Sequence, residues 1–103
     1  MPVIVVATIK PKPEYRDEVI AAMKETIGQV HDEDGCELYA LHSGDDRLVM
    51  IERWTSAGAL DTHSAGSPGL QQLNPKLKGK LEGPLEVVRL DPVPAGDDAK
   101  GRL

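Results

Sequence analysis

The sequence predicts an α+β domain, one antiparallel sheet with helices on one of its faces. Three observations point there. Two runs rich in Leu, Val, Ile, Tyr and Trp, Glu37 to Ser43 and Arg47 to Thr55, flank Gly44-Asp45-Asp46, a hairpin signature because Gly and Asp tolerate the backbone angles of tight connections. An amphipathic stripe lies upstream of the hairpin. Two Ser-capped helix starts lie downstream, before a last β-prone run.

In chain order, Val3 to Lys10 is a β-branched run suited to a buried strand. Pro11-Lys12-Pro13 stops it and opens a helix, since proline is accommodated in a first helical turn. From Glu14 the apolar side chains fall at Tyr15, Val19, Ala22, Met23, Ile27 and Val30, one stripe of a helix ending near His31. Glu14, Asp17 and Glu18 sit where its dipole favours negative charge. Asp32 to Gly35 form the loop before the hairpin. If Ser43 faces Arg47, then Cys36, Leu38, Ala40 and His42 share a face with Trp54, Glu52, Met50 and Leu48. The other face carries Glu37, Tyr39 and Leu41 opposite Arg53, Ile51 and Val49, with Arg53 and Glu37 as an ion pair. Thr55-Ser56 caps a two-turn helix from Ala57 to about His63, and Gly66 breaks it. Ser67-Pro68 restarts a helix whose buried edge is Leu70, Leu73 and Leu77, with Pro75 ending or kinking it. Lys76, Lys78 and Lys80 cluster around Gly79. Pro84 precedes a last strand, Leu85 to Leu90.

The order is β-α-β-β-α-α-β, the ferredoxin-like split βαβ arrangement. It occupies residues 1–91 as one domain, and 92–103 form a polar, Pro/Gly-rich tail expected to be mobile or laid over a neighbour. Both hairpin faces are largely apolar, so both need cover. Helices cover one, and a second copy of the chain is expected on the other.

At 103 residues the chain holds one modest core. No apolar run approaches the roughly 20 residues of a membrane helix, and the N-terminus lacks a leader pattern, so a cytoplasmic protein is expected. One cysteine excludes an intrachain disulfide and a multi-cysteine metal site. A net charge of -5 with one Trp, two Tyr and no Phe argues against nucleic-acid binding. No Gly-rich phosphate loop is present.

The runs DEDGCELYAL at 32–41, ERWTS at 52–56 and ALDTH at 59–63, with the Ser67-Pro68 restart, resemble the antibiotic biosynthesis monooxygenase family, quinol monooxygenases included, over residues 3 to 91. The resemblance implies a homodimeric α/β barrel, two sheets packed face to face, with a pocket in each subunit between sheet and helices. Characterised members oxidise polycyclic phenols or quinols with O₂ and need no flavin, haem or metal. A haem-degrading branch of the fold uses an asparagine on the first strand, a tryptophan on the third and a histidine on the last helix. Trp54 matches the tryptophan, but Val5 and Val6 stand near the asparagine position and the helix after Pro68 has no histidine.

The candidate residues follow from that implied pocket. His63, closing the short helix, suits a base for a substrate hydroxyl because histidine titrates near working pH; its plainer role is a helix-end cap. His42 is the second candidate base, or a strand-end surface residue. Glu52, a carboxylate on an inward strand position, must be paired or protonated. It either orients substrate or anchors a structural network. Trp54 is a stacking surface for a flat ring, or core filling. Tyr39, Leu38, Met50 and Leu70 would complete the substrate lining, each otherwise an ordinary packing residue. Cys36 reads as a small buried hydrophobe. The leading expectation is a cofactor-independent monooxygenase for a small aromatic phenol or quinol. The alternative is a non-catalytic dimer that binds a small hydrophobic molecule, or haem.

Overall fold

A computed structural model describes residues 1–103. Its elements are β1 (Val3–Ile9), a 3-10 turn (Pro13–Tyr15), α1 (Arg16–His31), β2 (Cys36–Ser43), β3 (Leu48–Trp54), α2 (Ala57–Ser64), α3 (Pro68–Leu77) and β4 (Glu86–Leu90). The sheet order is β2-β3-β1-β4, every pair antiparallel. This is the expected ferredoxin-like α+β fold, and within one chain the sheet stays open, with β2 and β4 as its edges.

Local chemistry explains the element boundaries. Pro13 starts the 3-10 turn that leads into α1, whose buried stripe is Val19, Ala22, Met23, Thr26 and Val30. Ser56 caps α2, its Oγ accepting from Ala59 N–H at 3.1 Å, and Ser67 caps α3, accepting from Leu70 N–H at 3.4 Å. Gly69, in the first turn of α3, lets that helix approach α1 closely, since a Cβ there would stand 3.1 Å from a Val30 methyl. Pro75 does not end α3, which runs on to Leu77. The carbonyl it leaves unbonded belongs to Gln71, at an exposed position where water can serve it.

The hairpin register differs by one residue from the expected one. Ser43 pairs with Leu48, so the connection spans Gly44 to Arg47, closed by Gly44 N–H donating to Arg47 O at 2.8 Å. A one-residue slip reverses the side chains of β2 from Leu38 to Ser43. Tyr39 and Leu41 therefore join Met50 and Glu52 on the helix-covered face, and Leu38, Ala40 and His42 point to the other face. An irregularity between Cys36 and Leu38 restores the Cys36–Trp54 pairing. The Arg53–Glu37 ion pair forms at 3.0 Å.

The core lies between the sheet and its helices: Val3, Val5, Ala7 and Ile9 of β1, Leu48, Met50 and Trp54 of β3, and Val19, Met23, Val30, Leu60, Leu73 and Leu77 of the helices. The opposite face carries Ile4, Val6, Val49, Ile51, Val88 and Leu90. No helix packs on it, and β4 is exposed along its whole length. The tail contains turns but no helix or strand, and Leu103 O accepts from Arg53 Nη1. No helix is long and apolar enough to cross a membrane.

Candidate functional site

Between the inner face of the sheet and α1, α2 and α3 lies a cavity of about 290 Å³. Its walls are mostly apolar: Val5, Ala7 and Ile9 from β1, Met50 from β3, Met23 from α1, and Leu60, Leu70, Leu73 and Leu77 from α2 and α3. The polar groups in its lining are few, chiefly Tyr39, Glu52, His63, Ser64, Asn74 and Arg89. An apolar hollow with a few convergent polar groups is the usual form of a small-molecule site. Asn74, Leu77 and Leu85 also border a wider surface depression of about 860 Å³, which adjoins the cavity between α3 and β4. At the rim, Arg89 Nη2 donates to Asp61 Oδ1 at 2.9 Å, tying β4 to α2. Another hollow, about 400 Å³, runs beside β2. The ring of its one histidine, His31, is engaged with Tyr39 O at 3.0 Å, so the chemistry gathers in the inner cavity.

The polar cluster is built around His63, on the last turn of α2 and 5% exposed. Its Nδ1 lies 2.8 Å from Glu33 Oε1 and 3.5 Å from Ser67 Oγ. Its ring rests on the Trp54 indole, centroids 4.6 Å apart and tilted 34°, and meets Tyr39 edge-on at 5.6 Å. Trp54 in turn donates Nε1–H to Glu52 Oε1 at 2.9 Å. Burial pushes the Glu52 carboxyl above the ordinary carboxylate range, against the opposing pull of the Trp54 donor and of His63. Burial, and then the carboxylates Glu52 and Glu33, push the Tyr39 phenol well above its ordinary value, so it stays protonated.

Several placements differ from expectation. Trp54 is 0% exposed and is not part of the cavity wall, because the imidazole of His63 covers its face. It supports the polar cluster from behind. His42 is exposed on the opposite face of the sheet, Nδ1 3.1 Å from Ala40 O, and Leu38 shares that face; the register places both away from the cavity. His63, Glu52, Tyr39, Met50 and Leu70 are brought together in the cavity lining. Glu33 and Ser67 were missed. Both sit in segments legible as a loop and a cap, and their contact with His63 spans 30 and 4 residues of sequence, with no local periodicity to reveal the longer one. Burial, first, and then Glu33 and Glu52 push the Cys36 thiol up, which makes it a poor nucleophile. No group of His, Cys, Asp and Glu has the geometry to hold a metal ion.

The sequence model of the family described as "Antibiotic biosynthesis monooxygenase" matches residues 2–73. The Mycobacterium tuberculosis protein named "Putative monooxygenase Rv0793" is 35% identical over 94 residues, 89% of this chain and 92% of its own length. Its solved structure superposes with a TM-score of 0.84, covering 94% of this chain and all of that one. YcnE of Bacillus subtilis, which bears the same kind of name, is 29% identical over 92 residues, 86% of this chain and 96% of its own length.

Proposed function

The chain belongs to the antibiotic biosynthesis monooxygenase family and has a monooxygenase-type function; from that premise we propose that it oxidises a small aromatic phenol or quinol with O₂ in the inner cavity, without flavin or metal. The observation that carries this reading is the arrangement of hydrogen-bonding groups around an apolar hollow. His63 makes its ring contacts through Nδ1, which leaves Nε2 without a partner in the chain. Glu52 uses Oε1 for Trp54, and burial holds its carboxyl above the ordinary carboxylate range. Tyr39 keeps its hydroxyl hydrogen. The cavity thus offers an acceptor at His63, a donor at Tyr39 and the Glu52 carboxyl beside them, a set that suits a hydroxylated ring with further oxygen substituents.

His63 Nε2 takes the hydroxyl proton, and the anion so formed is electron-rich. It passes one electron to O₂, and the two radicals combine to form a carbon–oxygen bond. The His63 imidazolium returns its proton to the peroxide, and loss of water, carrying off the hydrogen of the attacked ring carbon and the outer oxygen, leaves the other oxygen on the ring as a carbonyl. Glu52 and Tyr39 orient the ring oxygens, and the Tyr39 hydroxyl holds negative charge as it develops. The dry walls exclude bulk water from the radical pair. An aerobic assay on anthrones and reduced naphthoquinones should show O₂ uptake in metal-free buffer. His63→Ala should lower kcat by about 10²- to 10⁴-fold. Ligand-induced stabilisation with no O₂ uptake by the parent protein would replace the enzyme with a binding protein.

The uncovered sheet face supports a second proposal, a homodimer. Val88 and Leu90 are 50% and 45% exposed there, beside Ile4, Val6, Val49 and Ile51. A second copy presents the same apolar face, so a two-fold pairing is self-complementary.

A further inference from the structure

Two largely buried carboxylates stand near His63, and it is Glu33 that touches the ring. Its Oε1 is 2.8 Å from Nδ1, whereas Glu52 is bonded to Trp54. Glu33 Oε2 is shut away from solvent and has no partner, so the side-chain hydrogen bonding of this carboxylate goes to His63 alone. An ionised carboxylate has no hydrogen to give, so the hydrogen in this contact belongs to Nδ1. A neutral imidazole has a single N–H. Nε2 is then a bare acceptor, on a side chain that lines the cavity. Ser67 Oγ, at 3.5 Å from Nδ1, is much farther than Glu33 Oε1 at 2.8 Å, so the carboxylate sets the tautomer.

The placement of Glu33 is built into the fold. Glu33 follows the end of α1, its N–H donating to Val30 O at 3.0 Å and its carbonyl accepting from Cys36 N–H at 3.2 Å. Gly35, at φ +83°, lets this loop press against Ala59 of α2 and Thr55 just past β3, and Thr55 N–H holds it by donating to Gly35 O at 2.9 Å. The ring is clamped from the other side by Trp54 and edge-on by Tyr39.

We infer that Glu33 is a positioning residue for the proposed oxidation: it fixes the Nδ1–H tautomer of His63, aims Nε2 at the substrate, and stabilises the imidazolium formed when Nε2 takes a proton. This deepens the reading of His63 as the base and rests on it. A carboxylate that orients a catalytic histidine without touching substrate is a general device in hydrolytic and metal sites.

The test separates the contact from the chemistry. Long-range ¹H–¹⁵N correlation of the histidine rings, at a pH where His63 is neutral, reads the tautomer directly. The parent should show Nδ1–H. Glu33→Ala should shift the population toward Nε2–H, and Glu33→Gln, whose amide oxygen still accepts, should retain much of the parent pattern. In turnover, Glu33→Ala should lower kcat about ten- to a hundredfold with KM within about twofold, and Glu33→Gln should recover part of the loss. An Nε2–H tautomer in the parent overturns the inference by itself, whether or not the alanine variant folds. An unchanged tautomer in Glu33→Ala overturns it as well, even if turnover falls. A correct tautomer in a parent protein that turns over no substrate instead sinks the proposed oxidation and leaves the contact standing.

Discussion

Gly35→Ala offers a sharp test of how the loop before β2 is held. The left-handed conformation at φ +83° costs an L-residue about 1–2 kcal/mol. The new methyl would also stand 2.5 Å from Ala59 Cβ and 2.8 Å from Thr55 Oγ1, against the 3.4–4 Å of ordinary contact. Neither neighbour is the end of a flexible chain, so the loop must retreat by roughly 1 Å. Overpacking of that kind costs about 1–3 kcal/mol. Lower entropy in the unfolded chain returns about 0.4–1 kcal/mol. The net loss is about 2–4 kcal/mol, which for a domain of this size lowers Tm by roughly 10–30 °C. Urea denaturation with a two-state fit, alongside a thermal melt, reads both numbers. Adding Ala59→Gly removes the closest contact and should recover about 1 kcal/mol beyond additivity, because the two sites touch. The same retreat would stretch the 2.8 Å Glu33–His63 bond past hydrogen-bonding range. A Gly35→Ala protein within about 0.5 kcal/mol of the parent, with no coupling to Ala59→Gly, refutes the reasoning.

Glu52→Gln should change how stability depends on pH. Burial raises the folded-state pKa of Glu52 above its ordinary value of 4.5, so the folded chain holds this proton more tightly than the unfolded one. Stability contributed through Glu52 is therefore complete below 4.5 and declines as pH rises through the folded value. The amide cannot ionise and its oxygen can still accept from Trp54, so the variant's advantage over the parent should grow with pH above 4.5. Parallel denaturation profiles from pH 4.5 to 8 would show that the carboxyl carries no such penalty. Ile51→Lys on the uncovered sheet face, directly across from Val6 and Ala40, should convert the proposed dimer to monomer without unfolding it. Sedimentation of the parent as a monomer at micromolar concentration would contradict the pairing.

Much of the fold is legible in the chain itself, because its signals are local. Pro13, Ser56 and Ser67-Pro68 mark helix starts through bonds made within a few residues. The stripe from Val19 to Val30 declares which side of α1 is buried. The alternation along Leu48 to Trp54 likewise puts Glu52 on an inward face. The hairpin register is less local. Taking Gly44 to Asp46 as the whole connection puts Tyr39 on the wrong face and His42 on the inner one, since strand side chains alternate and one extra loop residue inverts the strand from Leu38 to Ser43. Large Tyr39 and Leu41 settle on the helix side, where their burial outweighs that of Leu38 and Ala40.

The candidate site divides along the same line. Residue chemistry singled out His63 and Glu52, one an imidazole suited to proton transfer and the other a carboxyl in an apolar strand, and composition by itself excluded an intrachain disulfide. Only the tertiary structure decided what each of them meets. Trp54 became a wall behind the imidazole instead of a platform for a ligand, and Glu33, unremarkable in an acidic loop, became the nearest partner of Nδ1. A contact across 30 residues depends on how a loop, a strand and a helix end pack in three dimensions, and a linear pattern has no term for that distance.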